Sequence, residues 1–295
     1  MPARNHDPAR GTGHEALLVA SEDHRRVEIS AWIDAATARR DKLLTLAAPP
    51  RAIIGAPLPK QALPAGELPV RTAIDLMRRA RDDGFQGLSI IVWVDRLTAA
   101  TSATVHANVE TTLSHLCRRH PVTALCLYNR GDERTGQLGE AVDRHPDGLH
   151  DQYLTVQRAN HTLHLFGEID MANLDVLTAT LKSVTLGHNH TVHIDLSHTR
   201  FLSAAAVQAL AHGTATFRAG GGLIAIHNPP SHVTRVLRLL WHQPLPGLQL
   251  NLTPRPRQRC RLETGGTGRS APDRALMSGN PTRGSLGHCP NLQTG

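Results

Sequence analysis

Three carboxylates follow predicted strands and are the residues best placed to do chemistry together. Glu168, Asp170 and Asp195 each end an apolar, strand-like run, and the ends of strands in an α/β sheet meet at one edge. Carboxylates placed in this way can act as acid and base groups or bind Mg²⁺. A catalytic site would also need a nucleophile paired with a histidine, and no such pair lies at a recognisable spacing. We therefore predict that these carboxylates cap turns and shape a docking surface.

Histidine is abundant, with 19 residues in the chain. The densest clusters are His188 and His190 with His193, and His161 with His164. Structural metal sites normally add cysteines or carboxylates at fixed spacing, and neither cluster has such a partner nearby in the sequence. We therefore predict surface histidines, no metal site and no cofactor.

An enzyme built on the N-terminal half would depend on Glu110 and Asp95 as its acid and base residues. The phosphate-loop pattern GxxxxGK[ST] is absent from the sequence. The run from Gly55 to Lys60 is no substitute, because its prolines lack the backbone amides that would cradle phosphate. The prediction is a protein that catalyses no reaction.

The elements that position these residues alternate between strands and helices. Continuous apolar runs at 89–94 and 123–128 are typical of strands covered on both faces. Amphipathic patterns at 70–81 and 102–119 predict helices. The N-terminal half is therefore predicted to be a layered α/β domain with a mainly parallel sheet. The turn-forming residues 144–151, RHPDGLHD, predict a link to the second half that few contacts cross.

The second half is centred on residues 193–206, HIDLSHTRFLSAAA. The alternation predicts a strand that Asp195 and Ser197 close, a short connection at 198–200, and a helix that begins after Ser203. Ser203 is a predicted N-cap, because a serine hydroxyl can accept from the free amides of the first turn. This helix start lies at the carboxyl end of a strand, where α/β sheets place ligand and partner surfaces.

This stretch resembles the centre of a STAS domain, the anti-sigma-factor antagonist module. Asp195-Leu196-Ser197 and Phe201-Leu202 match the family pattern, and Gly167-Glu-Ile-Asp170 resembles its Gly-Glu-Leu-Asp. The resemblance implies a STAS-like mixed sheet with helices. It also implies a protein partner, an anti-sigma factor of the serine-kinase type or a related signalling protein. The partner-binding and switch residues it implies are Asp170, Asp195, Ser197, Ser203 and Ala204.

Two positions depart from the family pattern. Ser203 stands where the family usually has aspartate, and Ala204 stands where it has the phosphorylated serine or threonine. Either the module is permanently competent to bind, or Ser203 has become the acceptor. We favour the first, which leaves Ser203 as an N-cap alone.

The N-terminal half resembles the MEDS domain, a sensory module of methanogens and methylotrophs. The residues that carry the resemblance are His14, Gly84-Phe-Gln-Gly-Leu88, Glu110, Ala124-Leu-Cys-Leu-Tyr128 and His145-Pro146. The resemblance implies a regulatory input domain with a degenerate RecA-like fold. An alternative is a nucleotide or small-molecule sensor whose STAS half serves as a scaffold in a signalling complex.

Length and composition complete the prediction. The 295 residues divide into a disordered lead at 1–12, a MEDS-like domain at 13–149, a STAS-like domain at 150–252 and a disordered basic tail at 253–295. The charge of +7 is concentrated in that tail, which argues against direct binding of nucleic acid. Neither a signal sequence nor an apolar run of membrane-spanning length is visible, so we expect a cytoplasmic protein without membrane insertion. The four cysteines form no CxxC pair and predict reduced thiols.

Overall fold

The computed structural model describes residues 13–47, 62–63, 68–130, 137–159, 162–186 and 191–252. The predicted lead and basic tail, and the histidines His161, His188 and His190, lie outside these residues. Over the described part the protein is mixed α/β, with helices on a sheet of eleven strands. The predicted fold class is therefore confirmed.

The strands and helices follow one another along the whole described chain. The strands are β1 (His14–Val19), β2 (Asp41–Leu46), β3 (Ala62–Leu63), β4 (Gly87–Trp93), β5 (Val122–Asn129), β6 (Gly148–His150), β7 (Leu154–Ala159), β8 (Thr162–Ile169), β9 (Thr191–Leu202), β10 (Leu223–His227) and β11 (Leu248–Asn251). The helices are α1 (Glu22–Ala38), α2 (Val70–Asp82), α3 (Val94–Ala100), α4 (Ala103–Arg119), α5 (Gln137–Arg144), α6 (Leu174–Leu186), α7 (Ala204–Gly213), α8 (Ala215–Ala219) and α9 (Ser231–Leu240).

The strand order is β11-β10-β9-β8-β7-β6-β1-β5-β4-β2-β3. The β6–β7 and β7–β8 pairs are antiparallel and the other pairs are parallel. Strands β4 and β5 are buried along almost their whole length, which is why their sequences are continuously apolar. Residues of β1 alternate between the two faces: Ala16 and Leu18 join one core cluster, and Leu17 and Val19 join the other.

The prediction that few contacts cross the link at 144–151 is wrong. Residues 148–150 form β6, which pairs with β1 on one side and β7 on the other, and all three of its residues are buried. One hydrophobic core cluster also runs past this point, from Leu18 through Leu149 to Leu177. The division of the chain into domains at 149 and 150 stays a prediction, but the two regions share one sheet.

The central strand of the second half is longer than predicted. Asp195 and Ser197 do not close it, because β9 continues to Leu202. Its partner β10 ends opposite Asp195, and beyond that point β9 pairs with β8 through two register shifts. The pattern of residues 198–200 resembles a connection because His198 and Arg200 in this part of β9 are exposed polar residues.

Candidate functional site

The helix start at Ser203 is formed as predicted. Ser203 has an extended backbone, with φ −72° and ψ 161°, and its Oγ accepts a hydrogen bond of 3.1 Å from the Ala206 amide. It is therefore the N-cap of α7. Ala204 is the first residue of the helix and is exposed. Its methyl group lies at the N-terminus of α7, and the N-terminus of a helix favours an anionic group such as phosphate.

The turn after β8 lies beside this helix start. The Ser203 amide donates to the Ile169 carbonyl over 2.9 Å, which brings Asp170 next to the N-cap. Asp170 Oδ1 accepts from the Ala172 amide at 2.8 Å. Asn173, fully buried, accepts from the Asp170 amide at 3.1 Å and donates to the Glu168 carbonyl at 2.9 Å. The carboxylate of Asp170 therefore shapes the turn, as predicted for the acidic residues.

Gly167, which opens the Gly-Glu-Ile-Asp run, has a positive φ of 95°. A Cβ at this position would lie 2.2 Å from the carbonyl oxygen of Tyr153. Only glycine fits, because the backbone just before β7 approaches too closely to leave room for a side chain. The motif that resembles the STAS family pattern is thus fixed by the packing of two strands.

The other two predicted site residues lie elsewhere. Asp195 and Ser197 precede Ser203 by eight and six residues along β9, and an extended strand of eight residues spans up to about 26 Å. Asp195 is 4% exposed, and its carboxylate accepts from the Ser197 amide at 2.8 Å and the Asn228 side chain at 3.3 Å. Burial alone would raise the pKa of Asp195, but these hydrogen bonds hold it below its usual value. Asp195 supports the end of β10, while Asp170, Ser203 and Ala204 share one edge.

Two large apolar side chains are exposed at that edge. Met171 is 71% exposed in the turn after β8, and Phe201 is 49% exposed near the end of β9. Phe201 pairs in register with Glu168, and Glu168 forms an exposed ion pair with Arg200 at 3.6 Å. We call Asp170, Met171, Phe201, Ser203 and Ala204 the docking edge. An apolar pair with a polar rim has the character of a protein interface.

A second group of chemical interest lies in the N-terminal half. Four buried side chains direct one nitrogen, oxygen or sulfur atom each toward a common point, with all four atoms within 4.8 Å of one another. We call these residues the buried cluster: His14, Glu110, Cys126 and His145. They come from the first residue of β1, from α4, from β5 and from the residue that follows α5. Each is at most 2% exposed.

The distances within the buried cluster are short. Glu110 Oε2 lies 3.2 Å from His14 Nε2 and 3.2 Å from His145 Nε2. His14 Nε2 lies 3.4 Å from Cys126 Sγ. Despite these distances, neither Glu110 Oε2 nor His145 Nε2 makes a hydrogen bond with any residue that the structure describes, although both atoms are buried. The contacts are close enough for ion pairs, but the directions of these two atoms do not suit hydrogen bonds.

The other atoms of these side chains are held in place by neighbours. His145 Nδ1 lies 2.8 Å from the Ala141 carbonyl, and because a carbonyl only accepts, Nδ1 carries a proton and donates. His14 Nδ1 lies 2.8 Å from Ser114 Oγ. Glu110 Oε1 is 3.2 Å from both the Tyr128 hydroxyl, which donates to it, and His106 Nε2.

Burial and neighbouring charges shift the pKa values of three residues of the buried cluster. Burial opposes ionisation of Glu110, but the neighbouring His145 and the hydrogen bond from His106 hold the pKa of Glu110 well below its usual value. Burial, followed by repulsion from His145, lowers the pKa of His14. Burial raises the pKa of the Cys126 thiol well above its usual value.

Sequence reasoning did not find the buried cluster. The sequence suggests Asp95 as the acid or base partner of Glu110, but Asp95 accepts a hydrogen bond of 2.7 Å from Asn129. The histidines that cluster in the sequence have other neighbours: His193 lies 2.9 Å from His227, and His164 lies 3.8 Å from Asp195. The signal that could have found the cluster was the MEDS-like series itself, which contains all four residues.

Comparison with known proteins supports the second half of the chain. Residues 154–241 match the STAS_2 family, described as "Mlab, STAS domain". The protein therefore carries a STAS domain that extends from β7 to the end of α9. No curated protein matches the chain. Among the residues that the structure describes, no helix has the length and apolar character to span a bilayer.

STAS domains commonly interact with partner proteins such as anti-sigma factors. At the family level the match therefore indicates a role in signalling, like that of the anti-sigma-factor antagonists. The match begins at residue 154, so the resemblance of the N-terminal half to the MEDS domain stays a prediction.

Proposed function

We propose that this protein is a non-enzymatic regulator whose STAS domain binds an anti-sigma factor of the serine-kinase type. Binding would sequester that partner, free a sigma factor, and so control sigma-factor-dependent transcription. The N-terminal half, in this proposal, acts as the sensory input domain. The observation that carries the proposal is the docking edge on a domain of the STAS family.

The composition of the docking edge supports a protein partner. Met171 and Phe201 together expose apolar side chains at neighbouring strand ends, and large apolar side chains of this kind anchor protein interfaces. The Ser203 cap and the turn around Asp170 hold these side chains on regular structure. A partner would therefore find the edge already formed, which reduces the entropic cost of binding.

The residue at the family's acceptor position supports permanent competence to bind. The exposed Ala204 methyl has no hydroxyl to receive phosphate. Ser203 Oγ is engaged by the Ala206 amide, and successive helical residues point about 100° apart. Control of binding would then come from the N-terminal half.

Contacts between the two halves support such control. Sheet and core are continuous through β6. Arg130, after β5, forms ion pairs with both Asp151 and Asp175, and Asp175 belongs to the first turn of α6 in the STAS domain. A change in the N-terminal half that moved the end of β5 would therefore be transmitted to α6 through the ion pair of Arg130 with Asp175.

The roles of the carboxylates support a protein without catalysis. Asp170 and Asp195 accept backbone amides in turns, and Glu168 pairs with Arg200 at the surface. Each of the three predicted acid or base candidates thus has a structural role. The proposal keeps the expectation that the protein is not an enzyme.

The test is capture of the partner from the native host with the tagged full chain as bait, followed by cross-linking and mass spectrometry. We expect a protein whose sequence carries a serine-kinase-type ATP-binding domain, with cross-links at the docking edge. The double variant Met171→Ser/Phe201→Ser should lose at least about 30-fold in affinity, since even one interface anchor contributes about 2 kcal/mol or more. Leu186→Ser is the matched control, because Leu186 is 77% exposed at the far end of α6.

Two results would contradict the proposal. One is unchanged partner affinity in the Met171→Ser/Phe201→Ser variant. The other is a nucleotide or small organic molecule that co-purifies in stoichiometric amount, with no protein partner of the kinase type. Mass spectrometry of the denatured protein would detect such a molecule and favour the alternative of a ligand-binding sensor and scaffold.

A further inference from the structure

We propose that the buried cluster of His14, Glu110, Cys126 and His145 is a binding site for one divalent transition-metal ion, with Zn²⁺ as the preferred ion. This inference goes beyond the proposed function and does not depend on it. It contradicts the sequence prediction of no metal, which considered only the histidine-rich stretches of the second half.

The geometry is the first argument. Zn²⁺ in proteins is usually tetrahedral, with bonds of about 2.0–2.3 Å, so two of its ligand atoms lie roughly 3.3–3.7 Å apart. The measured separations are 3.2 Å from Glu110 Oε2 to each of the two histidine Nε2 atoms, and 3.4 Å from His14 Nε2 to Cys126 Sγ. Three of the six separations are thus close to those of a tetrahedral site, and the remaining pairs of ligand atoms lie within 4.8 Å.

The two buried atoms that lack a hydrogen bond are the second argument. Glu110 Oε2 and His145 Nε2 lie 3.2 Å apart, and within the described part of the chain neither makes a hydrogen bond. Nδ1 of His145 already donates to the Ala141 carbonyl, so Nε2 is the ring nitrogen left to bind a ligand. A metal ion between Nε2 and Oε2 would bind both atoms.

The surrounding residues are the third argument. Metal-binding histidines usually donate their other N–H to a carbonyl or carboxylate, and ligating carboxylates are themselves hydrogen-bonded. His145 has the Ala141 carbonyl, His14 has Ser114 Oγ, and Glu110 Oε1 has the Tyr128 hydroxyl. These contacts leave His145 Nε2, His14 Nε2 and Glu110 Oε2 as the atoms available to the ion.

The donor set determines the class of ion. Two imidazoles, one thiolate and one carboxylate suit Zn²⁺, while Ca²⁺ and Mg²⁺ prefer six or more oxygen ligands. On binding, the S–H bond of Cys126 breaks, its proton leaves to solvent, and the sulfur electron pair forms the bond to the metal. Four protein ligands fill a tetrahedral ion, so this is a structural or sensory site.

The position of the site links it to the STAS domain. His145 also lines a cleft with Leu149 of β6 and Thr180 of α6. The ion would join β1, α4 and β5 to the residue that follows α5, and α5 packs against α6. Metal loading would therefore fix the end of α5 at its contact with the STAS domain.

The test uses a full-length chain in which Cys126 is the single thiol, made by Cys117→Ser, Cys260→Ser and Cys289→Ser. The protein is freed of metal with a chelator, titrated with Co²⁺, and followed by absorption spectroscopy. We expect one Co²⁺ per chain, tetrahedral visible bands, and a thiolate-to-metal charge-transfer band that can come only from Cys126. Zn²⁺ should displace the Co²⁺ and abolish these bands.

Single-residue variants locate the metal site, and the test does not depend on any single variant being folded. Glu110→Gln and Cys126→Ser should each remove binding, while Tyr128→Phe should weaken it by about 10–100-fold, as loss of a supporting partner does. His120→Gln is the control, because His120 caps α4 outside the cluster. Circular dichroism confirms that each variant is folded.

Three results would overturn the proposal. The first is the absence of a thiolate band in the single-thiol protein, which decides the matter even if every ligand variant unfolds. The second is Co²⁺ binding that Cys126→Ser and Glu110→Gln leave unchanged, which would place the ion at other histidines. The third is a stoichiometry that stays far below one ion per chain at saturating Co²⁺.

Discussion

Arg130 and Asp151 form an ion pair of 2.5 Å from Nη1 to Oδ1, and the aspartate side chain is only 1% exposed. The second guanidinium nitrogen of Arg130 pairs with Asp175 at the start of α6. Burial raises the pKa of Asp151, and the charge of Arg130 partly offsets that rise. One side chain thus supports a buried carboxylate beside β6 and contacts the STAS domain at the same time.

Replacing Arg130 should destabilise the protein substantially. Arg130→Met leaves the Asp151 carboxylate buried without its cation, which costs about 3 kcal/mol in unfolding free energy. Adding Asp151→Asn should restore part of that loss, and a double-mutant cycle in urea measures the coupling. The control is Arg78→Met, which breaks an exposed pair with Asp75 and should cost less than about 1 kcal/mol.

The loss in Arg130→Met should depend on pH in a defined direction. Because the folded pKa of Asp151 lies above its unfolded value, the charged form disfavours folding, and removal of Arg130 raises that pKa further. The deficit relative to the wild-type protein should therefore be largest near neutral pH and shrink as pH falls through the folded pKa of Asp151. A deficit that stays constant from pH 7 to pH 4 would show that lost packing, and not the buried charge, is responsible.

Gly167 should tolerate no side chain. Gly167→Ala places a Cβ at 2.2 Å from a backbone oxygen and at a positive φ, so the loss in unfolding free energy should be roughly 3 kcal/mol or more. Gly221→Ala is the matched control, because Gly221 also has a positive φ of 89° but nothing within 4 Å of the added atom. Its loss should be about 1–2 kcal/mol, the left-handed strain alone. Equal losses in the two variants would mean that strand packing does not restrict Gly167.

Local patterns of the sequence predicted most of the elements. The apolar runs of β4 and β5 and the amphipathic period of α2 are strong signals, and the Ser203 cap is a local hydrogen bond that a serine before a helix indicates. These features depend on neighbours within a few residues, so periodicity and capping rules apply directly.

Features that depend on distant residues could not be predicted in this way. Strand β6 is three residues long and surrounded by turn formers, and only its pairing with β1 and β7 makes it a strand. The buried cluster brings His14 beside Cys126 because β1 and β5 are neighbours in the sheet, which no local pattern encodes. The distance between Asp195 and Ser203 has a similar cause. Because β9 pairs with β8 as far as Leu202, the strand continues beyond Asp195 and places the two residues apart.

Asp195 should contribute stability that acid removes. Although burial opposes its ionisation, hydrogen bonds from Ser197 and Asn228 hold its pKa below the usual 3.8. The contribution is therefore complete above pH 3.8 and is lost as pH falls through the folded pKa. Asp195→Asn should cost about 1 kcal/mol at pH 7, and the difference should vanish near pH 2 in urea melts. A difference that grows on acidification would contradict this assignment.

Cys117 should be a poorly reactive thiol. Burial, with the nearby carboxylates of Asp147 and Glu15, raises its pKa to about 12. At pH 8 only about one molecule in 10⁴ then carries the thiolate, which is the nucleophile. Iodoacetamide followed by peptide mapping should leave Cys117 unmodified in the folded protein and alkylate it fully in urea. Alkylation of the folded protein at the rate of a free cysteine peptide would contradict the prediction.

Position 204 should decide whether a serine kinase can act on the protein. Incubated with its cognate kinase and ATP, the wild-type chain should gain no phosphate, because Ala204 has no hydroxyl and Ser203 Oγ is the cap of α7. Ala204→Ser should gain phosphate, since it places a hydroxyl at an exposed helix N-terminus that favours an added negative charge. Mass spectrometry of the modified peptide locates the phosphate.

The same experiment tests the alternative acceptor. Phosphorylated Ala204→Ser should also bind the partner more weakly, because two negative charges would enter a surface that buries Met171 and Phe201. Ser203→Ala tests the cap separately: it should lose about 1 kcal/mol of stability through its missing cap and should gain no phosphate. Stoichiometric phosphate on Ser203 of the wild-type chain, with loss of binding in Ser203→Asp, would show instead that the acceptor has moved by one residue and that the kinase retains control of this protein.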